Sequence, residues 1–241
     1  MLVDDDRAEE LYPDLTKMMI AHARFVADRI DAPRKRNNHG IFAAMGLYFF
    51  GVRFPEYSES PDWERFAEKR ILEELELQYT ERGVHKEFAP MYHVALLDAY
   101  LHYYTAKRKQ AEAIADETRE SIRDQLAFLN DMTGCDGAVM LIGDSDDHHF
   151  IRLNADEPCR VAATLHLGAL LLSDPSFDRD NSSAEWESAG VLGFRSYSER
   201  KAALNRCSAH MPPSEVCCYP EEGFARFEGD SMLFICDFST L

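Results

Sequence analysis

Residues 34–50 read "RKRNNHGIFAAMGLYFF": three cations and two asparagines, then a histidine, a glycine and an almost unbroken apolar run. The apolar part, roughly 39–51, has no polar stripe, as expected of a helix buried on every side. Its first turn is instead crowded with groups that bind anions. Asn38 followed by His39 and Gly40 reads in two ways. An asparagine caps the free N–H groups of a helix start, and an amide beside an imidazole at the positive helix end can neutralise a carboxylate.

Outward from this stretch the chain alternates between two helix types. Leu15, Met19, Val26 and Ile30 recur at helical spacing over roughly 13–31, ended by Pro33 and the basic cluster. After the buried run, Ser60-Pro61 forms a helix start with serine as cap and proline in the first turn. Trp63, Ala67, Ile71, Leu75 and Tyr79 follow at four-residue steps, and Gly83 reads as the terminator. Pro90 opens an apolar helix over roughly 89–106, a polar amphipathic one covers about 110–131, and "CRVAATLHLGALLL" after Pro158 is apolar on most faces. Outer and inner helices in alternation predict an α/α toroid or a helical solenoid. No repeat motif is legible, which favours the toroid.

Beyond residue 210 the pattern becomes β-rich. Phe224–Phe227 and Met232–Asp237 read as a hairpin around a turn at Glu228-Gly229-Asp230. Two strands alone are marginal in water, so the reading is a helical domain over 1–210 and the start of a β domain, truncated, over 211–241.

The chain has 241 residues, 46% of them apolar, with 26 Lys+Arg against 43 Asp+Glu for a net charge of -17. That balance excludes nucleic acid as an expected partner, since phosphate binding needs clustered cations. No run approaches the roughly 18 apolar residues of a membrane span, and "MLVDDDRAEE" does not read as a signal peptide. Oligomeric state is not legible. Six cysteines, at 135, 159, 207, 217, 218 and 236, show no zinc spacing and read mainly as buried thiols, leaving the redox compartment open.

In a ring of antiparallel hairpins the inner helices run parallel, so their N-termini open on one rim. The loops feeding them are "RKRNNHG", "ERGVHKEFAPMYH" and "GDSDDHH". Tyr92 and His93 stand in the first turn of the second inner helix and, taken alone, read as core residues. Asp144, Asp146 and His148 alternate as in a calcium loop, but no glycine or distal glutamate follows in register, so a turn capped by aspartates is the better reading. No metal or other cofactor is expected, and no hydrolase, nucleotide or zinc-protease motif occurs.

Three segments in this order, "NNHGIFAAMGLYFFG", "ERGVHKEFAPMYHVALLDAYL" and "LIGDSDDHHFIRL", resemble the heparinase II/III-like family of polysaccharide lyases. "CCYPEEGFARFEGDSMLFICDFS" is similar to the first strands of that family's β-sandwich. The resemblance covers roughly 38–241. It implies a mainly α fold, an incomplete (α/α) toroid of helical hairpins followed by an antiparallel β-sandwich, and a periplasmic or secreted location. It also implies β-elimination on an acidic, uronate-containing polysaccharide, as in heparinases and alginate lyases. Asn38 and His39 would hold the uronate carboxylate, and Tyr92 would serve as acid and base. Arg34, Arg36, His85, Lys86, His93, Asp144 and Asp146 are the expected substrate contacts. Arg34, Arg36, His85 and Lys86 are also the groups expected to lower the tyrosine below its usual value of about 10. The family's further catalytic histidine comes from the sandwich beyond its first strands and has no counterpart here, so the resemblance allows the fold to be present in a fragment that is itself inactive. The alternatives are a non-catalytic carbohydrate-binding protein on the same scaffold, and a glycoside hydrolase using Glu87 with Asp144 or Asp146.

Overall fold

The computed structural model describes residues 6–30, 36–134, 137, 139, 141–143, 160–179, 182–205, 216–229 and 232–237. They form eight helices: α1 (Asp6–Ala27), α2 (Asn38–Arg53), α3 (Ser60–Gln78), α4 (Pro90–Lys109), α5 (Asp116–Met132), α6 (Arg160–Leu172), α7 (Ser182–Leu192) and α8 (Phe194–Leu204). Three strands follow, β1 (Val216–Tyr219), β2 (Phe224–Gly229) and β3 (Met232–Asp237). The alternation holds: α2, α4 and α6 are buried on most faces, whereas α5 buries one stripe, Ile122, Gln125, Leu126, Leu129 and Met132. Among the described residues no helix is long and apolar enough to cross a membrane.

The chain divides into two compact units, Met1–Glu74 and Leu75–Leu241. In the first, α1 packs on α2. Around the α2–α3 turn the rings of Phe50, Phe54, Tyr57 and Trp63 cluster, with Phe50 and Phe54 centroids 4.9 Å apart. A Cβ on Gly51 would lie 2.9 Å from the Ser60 carbonyl oxygen, so glycine is what lets α3 start so close to α2. Ser60 does open α3, but its hydroxyl donates to Phe54 O at 2.6 Å instead of capping the helix.

In the second unit α4, α5 and α6 pack on one another, and α7 and α8 close on α6. The sheet has order β1-β2-β3, antiparallel throughout. The expected hairpin is present with a third strand beside it. Glu228 and Gly229, expected in the turn, instead pair with Leu233 and Met232. Cys217, Tyr219 and Phe224 share a core with Val84, Phe128 and Met132, against which Phe88 and Ile142 pack. The strands are therefore held by α5 and by the loop leading to α4. Cys217 is a buried thiol and Cys218 an exposed one.

One expected terminator is corrected. The helix α3 ends at Gln78, and Tyr79 then pairs with His85 in a tight reversal closed by Thr80 N–H to Val84 O at 2.9 Å. Gly83 sits inside this reversal at φ +74.

Candidate functional site

The N-terminus of α2 lies in the first unit. Asn37, not Asn38, is its cap: the Asn37 side chain accepts from Gly40 N–H at 3.3 Å. Asn38 is buried in the first turn, and its Oδ1 accepts the His39 N–H at 2.7 Å. Because a backbone N–H can only donate, this bond fixes the amide orientation and turns the Asn38 Nδ2–H₂ group to the opposite side. His39 is exposed, and the first turn carries no acidic residue. The helix end is thus left positive. Arg36 does not add to it: its guanidinium is bound to Glu73 at 3.0 Å and lies 3.7 Å from the buried Glu74, itself paired with Arg70. Arg36 and Arg70 thus share the carboxylates of Glu73 and Glu74, with the Arg36 side chain still partly exposed. Arg34 lies outside the described residues.

The N-terminus of α4 lies in the second unit. Ala89 precedes Pro90 without a side-chain cap, and again no acid occupies the first turn. Phe88, just upstream, holds φ +53, a left-handed conformation that a bulky residue adopts only under constraint. Its ring is fixed against Phe224 at 6.0 Å. The sheet thereby sets the entry angle of α4. Tyr92, two residues into the helix, is half-buried. Gly143, the first residue of the aspartate loop, lies against Ala89: a Cβ there would sit 3.7 Å from Ala89 Cβ. Two of the three loaded loops therefore meet at the start of α4. Asp144 and Asp146 themselves lie outside the described residues.

The basic cluster beside this helix resolves differently from expectation. Arg82 donates to Cys218 O at 2.9 Å and stacks 4.0 Å over the Tyr219 ring, so it clamps β1. His85 and His93 are 1% exposed and cannot touch a ligand from where they stand. His93 Nε2 donates to Gln125 O at 3.0 Å, and His85 Nε2 lies 3.3 Å from Gln78 Oε1. Both rings pack on Tyr79, at 5.2 and 5.8 Å. Burial, with the charge of His93 added, pushes His85 down to about 3, and burial pushes His93 to about 4 against a hydrogen bond that raises it. These imidazoles are neutral near pH 7 and add no positive charge at this helix start. Lys86 remains exposed, its ammonium donating to Leu77 O.

A pH dependence follows. His102 on α4 is likewise pushed to about 4 by burial and by Lys109. All three histidines bind a proton more readily unfolded, near about 6.5, than folded. Their stabilisation is fully present above that pH and is lost as pH falls toward 4. Each contributes a slope of about 1.4 kcal/mol per pH unit inside this window. Denaturant titrations at pH 7, 6, 5 and 4 are expected to show a steepening loss below 6.5, reduced in His93→Gln.

Sequence reading missed Asn37 as cap, Tyr79 as the floor of the histidine pair, and Phe88 as the strained entry to α4. Only the doubled asparagine carried a signal, and it left the register open. Among the described residues no three His, Cys, Asp or Glu side chains are grouped to hold a metal.

A family model described as heparinase II/III N-terminus matches residues 8–154, which include both helix starts. A heparin-sulfate lyase of Pedobacter heparinus is 27% identical over 195 residues, 78% of this chain and 29% of that protein. The crystal structure of heparan sulfate lyase HepC from Pedobacter heparinus matches with a TM-score of 0.52 at 20% identity, over 85% of this chain and 28% of that one. The likeness shows the fold, a mainly helical (α/α) toroid array followed by antiparallel strands. The chain spans less than a third of the length of either protein.

Proposed function

The chain belongs to the heparinase II/III family, and from that premise we propose that it carries the toroid-side machinery of a polysaccharide lyase. The substrate is an acidic polysaccharide containing uronate, with sulfated polymers of the heparan type first, because the similar proteins carry heparin-sulfate and heparan sulfate in their names. The observation that carries the reading is the acid-free start of α2, which bears Asn38 and His39 at its positive end; the start of α4, which bears Tyr92, is likewise free of acids in its first turn.

The chemistry these groups suit is β-elimination. A uronate C5 proton becomes removable only when the neighbouring carboxylate is neutralised, since the developing enolate needs donors aimed at it. Asn38 Nδ2 and His39, at the positive end of α2, supply such donors. Tyr92, as the phenolate, takes the C5 proton and, now the phenol, returns it to the glycosidic oxygen as the C4–O bond breaks. The electron pair of the C–H bond becomes the C4–C5 double bond, and the leaving oxygen ends as a hydroxyl. No redox partner is needed. Lys86, exposed upstream of α4, is assigned the role of attracting the polymer.

Asn38→Asp tests this assignment. Aspartate keeps the acceptor for the His39 N–H and suits a helix start, so folding is expected to persist. The donor is replaced by a negative oxygen, and turnover of heparan sulfate, read as ultraviolet absorbance of the unsaturated uronate, is expected to fall about 10²- to 10³-fold. A stable Asn38→Asp protein with undiminished turnover would remove Asn38 from the mechanism.

A further inference from the structure

The other end of α4 holds a feature the lyase chemistry does not use. A cavity of about 330 Å³ opens among Thr105, Arg108 and Lys109 of α4, Leu171 of α6, Leu192 of α7, and Ser196 and Arg200 of α8. Arg108 is 16 positions beyond Tyr92, roughly 24 Å along a helix rising about 1.5 Å per residue. The two ends of α4 cannot touch the same sugar. Three of the lining residues are cationic and none is acidic, in a chain whose net charge is -17.

The cations are positioned by carbonyls, not by carboxylates. Arg108 donates to Leu171 O at 3.4 Å, Arg200 to Leu170 O at 2.8 Å and Lys109 to Val191 O at 2.8 Å. Arg108 also lies 5.9 Å from the Tyr104 ring centroid. These bonds cap the C-terminal turns of α6 and α7, but a carbonyl leaves the cation's charge uncancelled. Each guanidinium keeps further N–H donors, up to five in all, and each ammonium up to three. Burial and the adjacent Arg108 charge pull the Arg200 guanidinium below its ordinary value. The Thr105 hydroxyl already donates to Leu101 O at 2.9 Å, so the donors toward the cavity come from the cations and Ser196. Leu171 and Leu192 add apolar wall.

We propose that this cavity is an anion subsite, taking a sulfate or phosphate ester on a sugar-sized molecule. Two guanidinium forks and an ammonium match a tetrahedral oxyanion. The volume, within the range of small-molecule pockets, exceeds what a bare oxyanion fills, and the leucine walls suit a sugar ring.

The site stands apart from the lyase reading, and its test is chosen to keep the two separable. The chain is titrated with a sulfated disaccharide, with its desulfated counterpart and with inorganic sulfate, while amide resonances of residues 105–109 and 192–200 are followed by NMR. The sulfated sugar is expected to bind tightest, inorganic sulfate more weakly, and the desulfated sugar not measurably. Arg108→Gln and Arg200→Gln should each weaken binding about tenfold or more, whereas Tyr92→Phe should leave these resonance shifts unchanged. Arg108→Lys and Arg200→Lys, which keep charge and a carbonyl bond, serve where glutamine disturbs the fold, and should weaken binding by loss of the fork. Equal binding of the desulfated sugar, or undiminished binding in all four arginine variants, would overturn the site. Inorganic sulfate binding as tightly as the sulfated sugar would overturn the ester assignment.

Discussion

Tyr92→Phe is expected to abolish most turnover of a uronate polymer, by about 10²- to 10⁴-fold, the span associated with one positioned proton-transfer group. The ring is half-buried in the first turn of α4, and phenylalanine preserves that packing. Far-ultraviolet circular dichroism should therefore match the parent protein. Substrate affinity should change little, because the proposed carboxylate donors reside on Asn38 and His39. The loss should appear in kcat more than in KM, as when an interaction confined to the transition state is removed. A fall in KM-related affinity with kcat intact would instead make Tyr92 a binding residue.

Gly83→Ala is the largest expected stability effect. Gly83 occupies φ +74, and a Cβ there would lie 2.3 Å from Asp124 C and 2.4 Å from Gln125 N on α5. The obstruction is helix backbone, which cannot rotate aside as a side-chain tip can. The change should cost about 3 kcal/mol, combining about 1–2 kcal/mol of left-handed strain with about 1–3 kcal/mol of overpacking. It should show as a lower denaturation midpoint with an unchanged m-value. Gly46→Ala on α2 provides the contrast: nothing lies within 4 Å of its Cβ position, so stability should rise by up to about 1 kcal/mol through helix propensity.

Much of the helical pattern was legible because burial is written in composition. The apolar runs at 39–51 and 160–172 are the buried α2 and α6, and the stripe from Ile122 to Met132 is the inward face of α5. Helix ends were less legible. The four-residue spacing of α3 carries on through Tyr79, yet the helix stops at Gln78 because Tyr79 pairs with His85. Gly83 reads as the terminator of α3 because a glycine's suitability for positive φ does not announce which element requires it, and here the reversal after the helix does. The strand β1 escaped notice since four residues, two of them cysteines, give too short an alternation; Cys217 and Tyr219 nonetheless face the core.

For the site, residue types were readable and their commitments were not. Arg36 meets Glu73 37 positions away and Arg82 meets Cys218 O 136 positions away. Such partners leave no trace in local charge patterning. His93 sits on α4, which is buried almost all round, so periodicity could not say which of its sides faces solvent, and the burial of His85 follows from its pairing with Tyr79 in the preceding reversal. Conversely, the carbonyl-held cations at the far end of α4 drew no attention, because Arg108, Lys109 and Arg200 become neighbours only when α6, α7 and α8 close on that helix.

In the proposed mechanism cleavage depends on an acidified uronate C5 proton. The most direct measurement compares new chain ends released from heparan sulfate and from the same polymer with its uronate carboxyls reduced to alcohols, sulfates retained. Cleavage of the native polymer is expected, with one unsaturated uronate per new end, and none of the reduced polymer. Equal cleavage of both, or new ends from the native polymer without the unsaturated product, would contradict it.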